Sequence, residues 1–177
     1  LTPFDELPES VRELFEYHPD KAKQLLAEAG YPDGFEATIP AYAAFSDLLS
    51  IVKEYWAEVG VNLTIDMKEF GAFASLGNKM AHKEMYIWGG VGGAYPFTFY
   101  WWTPGSIFNY SQVNDPVVID EIAWFDENYY NYGEKYERYR KFTLYLLDQA
   151  YELQLPGPYA YMFWQPWVKN YHGEREV

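Results

Sequence analysis

The chain has 177 residues, a formal net charge of −13 and 21% aromatic residues, with 12 Phe, 18 Tyr, 7 Trp and no Cys. Zero Cys excludes disulfide scaffolds, zinc ribbons, iron–sulfur sites and thiol catalysis. Strong acidity opposes nucleic acid and anionic membranes as partners, and this aromatic content opposes disorder.

The length suits about one domain with a sizeable core. No initiator Met, basic n-region or apolar h-region marks a signal peptide at Leu1-Thr2-Pro3, and no apolar run is long enough to span a bilayer. A processed chain and an excised fragment both fit such a start.

In chain order, a short helical piece is expected over Pro8–Glu16. A clear helix follows, with His18 at the N-cap position, Pro19 at N1 and Gly30 as its stop. Ala22, Leu25, Leu26 and Ala29 form its apolar stripe. Tyr31-Pro32-Asp33-Gly34 is a turn, and Phe35–Ile39 alternates as a strand. Ser46 or Asp47 is placed to cap a helix to about Val59, with Leu48, Leu49, Val52, Trp56 and Val59 inward. Gly60 ends it, and Val61–Met67 alternates again. Strand, helix, strand predicts a parallel, right-handed βαβ unit.

Helix is expected next over Phe70–Met80, then a third strand over Glu84–Trp88 running into Gly89–Gly93. Residues 94–114 read as an aromatic loop. Asp115 caps a helix with Pro116 at N1, reaching about Asn128. A longer helix covers about Gly133–Leu153, with Tyr139, Phe142, Leu146 and Ala150 on one face. Ala160–Trp164 reads as a last strand before a polar tail. The fold class is therefore α/β: a small mixed, partly parallel sheet flanked by helices. In such sheets ligands settle outside the carboxyl ends of the strands, here the loops after Ile39, Met67 and Trp88.

No catalytic constellation emerges. Gly89–Gly93 lacks the spacing of a dinucleotide or Walker loop, and no helix start follows it. His18, His82 and His172 are scattered outside any zinc spacing, so no metal or cofactor is expected. The acidic pairs read as solvated helix faces, and no nucleophile elbow is present. The anomaly is Tyr95, Phe97, Phe99, Tyr100, Trp101 and Trp102, followed by Phe108 and Tyr110. Trp56, Phe142 and Phe163 fit a core, but consecutive loop aromatics cannot all turn inward. They face a ligand, a partner or solvent, or fold down as a lid.

The run Tyr17-His18-Pro19-Asp20-Lys21-Ala22-Lys23-Gln24-Leu25-Leu26-Ala27-Glu28-Ala29-Gly30-Tyr31-Pro32-Asp33-Gly34-Phe35 resembles a signature of the family 5 extracellular solute-binding proteins. These are the dipeptide, oligopeptide and nickel receptors of bacterial and archaeal ABC importers. His18 replaces the usual Asp or Asn. The resemblance continues through Trp56–Val61, Met85–Gly89, Asn109-Tyr110, Asn114-Asp115-Pro116, Asp120 and Pro156–Tyr161, from about residue 8 to 171.

The resemblance implies a periplasmic-binding-protein-like fold of two lobes. Residues 1–177 would be the C-terminal lobe alone, with the other lobe and the signal peptide missing. It implies a small solute, an oligopeptide or oligosaccharide, delivered to an ABC permease from a periplasmic or extracellular position. A lipid anchor on the full-length protein is compatible. Catalysis is not implied. Trp88, Gly89, Gly90, Tyr95, Trp101, Trp102 and Asn109 are the expected cleft residues: glycine backbone for hydrogen bonds, rings for stacking and Asn109 for its amide. Asn109 has loop capping as its alternative.

One departure bears on the solute. Peptide-binding members carry an Asp after the third strand that pairs with the peptide amine, whereas Trp88–Pro96 contains no acid. A buried ammonium needs an anion, from Asp66, Glu69 or the missing lobe. An aromatic, neutral cleft also suits a sugar. From other classes, a glycan-active enzyme, a free-standing carbohydrate-binding module and an interaction domain pairing through residues 95–102 stay open.

Overall fold

The computed structural model describes residues 3–89, 101–153, 155 and 164–170. The described elements are α1 (Glu9–Arg12), α2 (Pro19–Glu28), β1 (Phe35–Ala41), α3 (Ser46–Glu58), β2 (Val61–Met67), α4 (Phe70–Asn78), α5 (Pro116–Glu127) and α6 (Tyr132–Gln149). Short 3-10 turns at Phe4–Glu6, Glu13–Phe15 and Ala43–Phe45 link the early ones.

The βαβ unit is the first of two cores. β1 and β2 pair in parallel, with Phe35 opposite Val61 and Ala41 opposite Met67. The alternation that marks these strands has a direct cause. Ala37, Ile39, Ala41, Val61 and Leu63 are buried on one face, while Glu36, Thr38, Asn62 and Thr64 are exposed on the other. The buried face meets Leu49 of α3 and Phe73 of α4, with Leu48, Val52 and Trp56 completing the α3 side. Helices therefore cover one face of this sheet among the described residues, whereas the usual parallel sheet is buried on both.

Three sequence expectations are corrected. Glu84–Trp88 forms no strand. Its Glu84 carboxylate accepts the Thr38 N–H on the open edge of β1, so a side chain takes a donor that a third strand's backbone would need. Ile87 of this segment is nevertheless buried in the first core. The α2 stripe is only partly covered: Ala22 and Leu26 are half-buried, no α2 residue is fully buried, and Leu25 is 54% exposed. Neither Ser46 nor Asp47 caps α3, which starts from Phe45 without a side-chain cap. His18 does hold the N-cap position of α2, but its ring bonds Glu16 at 3.0 Å and leaves the helix uncapped. Of the last expected strand, residues 160–163 lie outside the described residues.

The second core is the α5–α6 hairpin. A short connection forces antiparallel neighbours. Val113, Val118, Phe125 and Phe142 are buried there, with Trp102, Tyr139 and Leu146 packed around them. Arg138 forks onto Glu121 at 2.7 and 2.9 Å and lies 4.3 Å from the centre of the Trp124 ring. This bidentate pair fixes the helices in rotation as well as distance. α6 stops at Ala150, in the left-handed region at φ 49°, so it ends before the expected Leu153.

Asp115 ties both ends of the hairpin together. Its Oδ1 accepts the Val117 N–H at 2.8 Å, which caps α5. Its Oδ2 accepts the hydroxyls of Tyr145 and Tyr151, both at 2.5 Å. These bonds, Tyr145 first, hold the carboxyl below its ordinary value, and both phenols are pushed up in return.

Two predictions follow from these constraints. Gly34 has φ 77°, and a methyl there would lie 1.9 Å from the Gly60 carbonyl oxygen, whereas Gly30 at φ 94° has open space around it. In urea denaturation Gly34→Ala should lose about 3 kcal/mol and Gly30→Ala only about 1 kcal/mol. A lowered carboxyl pKa stabilises the fold above the unfolded value of about 4 and withdraws that stability as pH falls through the folded value. Asp115→Asn should therefore lower the melting temperature at pH 7 and flatten its decline below about pH 4. Equal pH profiles for the two proteins would refute this.

Candidate functional site

Because β1 and β2 are parallel, their carboxyl ends, Ala41 and Met67, lie side by side. The chain leaves β1 through Tyr42 and Phe45 and leaves β2 into the first turns of α4 at Phe70 and Phe73. The four rings meet. Tyr42 stands 4.9 Å from Phe45, 5.1 Å from Phe70 and 5.0 Å from Phe73, centre to centre. Glu69 makes this placement possible: its Oε2 accepts the Gly71 and Ala72 N–H groups at 2.8 and 3.3 Å and caps α4.

Trp88 arrives from the third loop. Phe73, Tyr86 and Trp88 form a nearly parallel set: Phe73 and Tyr86 are 4.7 Å apart at 10°, and Phe73 and Trp88 6.1 Å apart at 9°. Tyr110 leans on Tyr86 at 5.0 Å and on Trp88 at 5.6 Å. Offset parallel stacking suits the ring quadrupoles. Phe73 is completely buried, yet Trp88 keeps 36% of its surface and Phe70 keeps 53%. An indole anchored by its neighbours and still this exposed could serve as a platform for another flat or apolar group.

The supports of the platform are specific. The Tyr86 hydroxyl donates to the Phe73 carbonyl at 3.2 Å. Burial, followed by the neighbouring Tyr110, raises its pKa to about 12. Gly77 leaves room for that phenol: a methyl there would stand 2.4 Å from the hydroxyl oxygen and 2.5 Å from the ring. His82 stacks on Tyr86 at 5.0 Å and donates through Nε2 to the Tyr110 carbonyl at 2.8 Å, since a carbonyl only accepts.

The expected cleft residues divide. Trp88 and Gly89 sit at the carboxyl ends of the strands, with Gly89 against Phe45, where an added methyl would touch the ring at 3.4 Å. Trp101 joins the group through Tyr110 at 6.2 Å and Phe108 at 5.8 Å. Trp102 packs into the second core instead. Asn109 is buried: its amide donates to the Val113 and Thr103 carbonyls at 2.9 and 3.3 Å, and its oxygen accepts the Val113 N–H at 2.9 Å. These bonds close the loop, as its capping alternative describes. Gly90 and Tyr95 lie outside the described residues.

Tyr42, Phe45, Phe70, Phe73 and Tyr86 were not singled out from sequence. Aromatics just past the ends of two parallel strands were the available signal. Elsewhere, a groove of about 430 Å³ between α5 and α6 is crossed by the Glu121–Arg138 pair. Among the described residues no three His, Cys, Asp or Glu gather to hold a metal, and no helix is long and apolar enough to cross a membrane.

With this geometry in hand, comparison with known proteins is decisive on one point. The family described as "Bacterial extracellular solute-binding proteins, family 5 Middle" matches residues 2–112. The chain belongs to this family. Among family 5 relatives, heme-binding protein A of Haemophilus influenzae is 34% identical over 89 residues, 45% of this chain and 16% of that protein. The glutathione-binding protein GsiB of Salmonella typhimurium is 34% identical over 71 residues, 38% of this chain and 14% of that protein. The matched stretch is thus about a sixth of these relatives' length. The solved structure of the ABC transporter-associated periplasmic binding protein DppA from Helicobacter pylori, in complex with peptide STSA, superposes with a TM-score of 0.68 at 24% identity. That match covers 77% of this chain and 28% of DppA, and it establishes a periplasmic-binding-protein fold.

The platform generates a direct test. Gly77→Ala should displace Tyr86 and with it Trp88, at a stability loss of about 1–3 kcal/mol for overpacking. Near-UV circular dichroism should lose the signal of the stacked rings while the far-UV spectrum is kept. An unchanged near-UV spectrum would show that Gly77 does not position the stack.

Proposed function

We propose that this chain forms one lobe of an extracytoplasmic solute-binding protein that delivers a peptide to an ABC importer. The other lobe belongs to the remainder of a longer polypeptide, as the 14–28% coverage of its relatives suggests. The ligand lies between the lobes, and the protein works by closing on it, with no bond made or broken.

The observation that carries this reading is the position of Trp88. It stands half-exposed at the carboxyl ends of two parallel strands, where open α/β sheets bind ligands, and Phe73, Tyr86 and Tyr110 hold it there. Family membership supports binding and transport as the class of activity. The glutathione-binding relative and the DppA–peptide complex support a peptide over the oligosaccharide that the neutral, aromatic loop also suits. In this reading Trp88, Gly89 and Trp101 face the solute, with Gly90 and Tyr95 as further contacts, while Asn109 and Trp102 shape the loop behind them. The permease partner and the periplasmic or extracellular location come with the same reading.

Calorimetry on the full-length protein with short peptides tests it. Wild type should bind, and Trp88→Ala should weaken binding at least tenfold, about 1.4 kcal/mol, with an unchanged far-UV spectrum. Equal affinity in the variant, or chemical turnover of the ligand, would overturn it.

A further inference from the structure

We infer that the Trp88 platform receives an uncharged, apolar side chain of the bound peptide and forms no ion pair with it. This rests on the peptide-receptor reading above and specifies what that site recognises.

Charge is absent where the platform is built. Residues 85–114 contain no Asp, Glu, Lys, Arg or His, in a chain that is 22% charged and carries a net charge of −13. This run includes the described residues 85–89 and 101–114 and the sequence that joins them. At such a charge density an uncharged stretch of this length departs sharply from the composition of the rest.

Several charged groups that border the platform make bonds within the chain. Asp66 pairs with Lys68 at 2.7 Å. The Glu69 carboxylate caps α4 through the Gly71 and Ala72 N–H groups. Glu84 accepts the Thr38 N–H, and His82 donates to the Tyr110 carbonyl. At the far end of the uncharged run, Asp115 accepts the Tyr145 and Tyr151 hydroxyls. Asp66 and Glu69 are the acids nearest the strand ends, and each has a partner within its own segment.

The Tyr86 hydroxyl is engaged too, since it donates to the Phe73 carbonyl. A ligand ammonium or carboxylate laid on Trp88 would therefore shed water without gaining an opposite charge, which is unfavourable. A cation over a single half-exposed ring recovers little of that loss. An apolar side chain has no such penalty and gains by covering exposed indole and Phe70 surface.

The test uses the full-length protein and tetrapeptides in which each position in turn is Phe, Leu, Glu or Lys, read by calorimetry. One position should prefer Phe or Leu over both Glu and Lys by at least tenfold. Trp88→Ala should reduce that preference below threefold. Trp88→Leu, which keeps an apolar surface of closer size, should retain the preference at lower affinity. If Trp88→Ala weakens all peptides equally, the receptor reading stands and the apolar subsite falls. A charged residue bound as well as Phe at that position also overturns the subsite. Wild type that binds none of the peptides overturns both.

Discussion

The structure turns on the burial of one ring. A two-stranded parallel sheet covered on one face is marginal by itself, because it buries few side chains per backbone bond. Phe73 compensates by occupying the centre of an aromatic cluster at the strand ends. Tyr42, Phe45, Tyr86 and Trp88 all lie within 6.3 Å of it, centre to centre, so two separate chain segments converge on a single side chain. Its position is set by the cap that Glu69 gives α4 and by the register of β2 that delivers Glu69 there. Stability and the candidate binding surface thus share one origin: the rings that close the core are also those that present Trp88.

The loop of residues 101–113 joins the two cores, and its polarity is spent internally. Tyr110 leans on the first core, Val113 and Trp102 enter the second, and Asn109 closes the chain between them. His82 adds a bond from the first core to the loop backbone at Tyr110. The Asp115 cluster then locks α5 to the end of α6. Contacts therefore run from the first core to the hairpin through residues 101–113. The strong net charge sits elsewhere, on helix faces and turns, and leaves this segment neutral.

Much was legible in the sequence because it depended on local rules. Alternation marked β1 and β2, and the helical stripe between them marked α3 and the parallel crossover. Asp115-Pro116 marked the start of α5. The signature around residues 17–35 pointed to the family that the comparison establishes. Trp88 and Gly89 were named as candidates because loops after strand ends in α/β sheets are predictable binding positions. Where prediction failed, a non-local contact had intervened. Glu84–Trp88 has a strand's composition, but a carboxylate took the donor on the edge of β1. Asn109 looks like a ligand contact until its three loop bonds are counted.

The sequence by itself determined most of the helices, the two paired strands, the parallel crossover, the absence of thiol chemistry and the uncharged stretch, because periodicity, turn residues and composition are properties of neighbouring residues. Only the tertiary structure decided which aromatics are buried in a core and which stay exposed. Trp101 and Trp102 are adjacent and chemically identical, yet one leans toward Tyr110 and the other enters the hairpin core. That choice depends on which side of the loop each ring faces once both cores are formed. No rule of spacing contains that information.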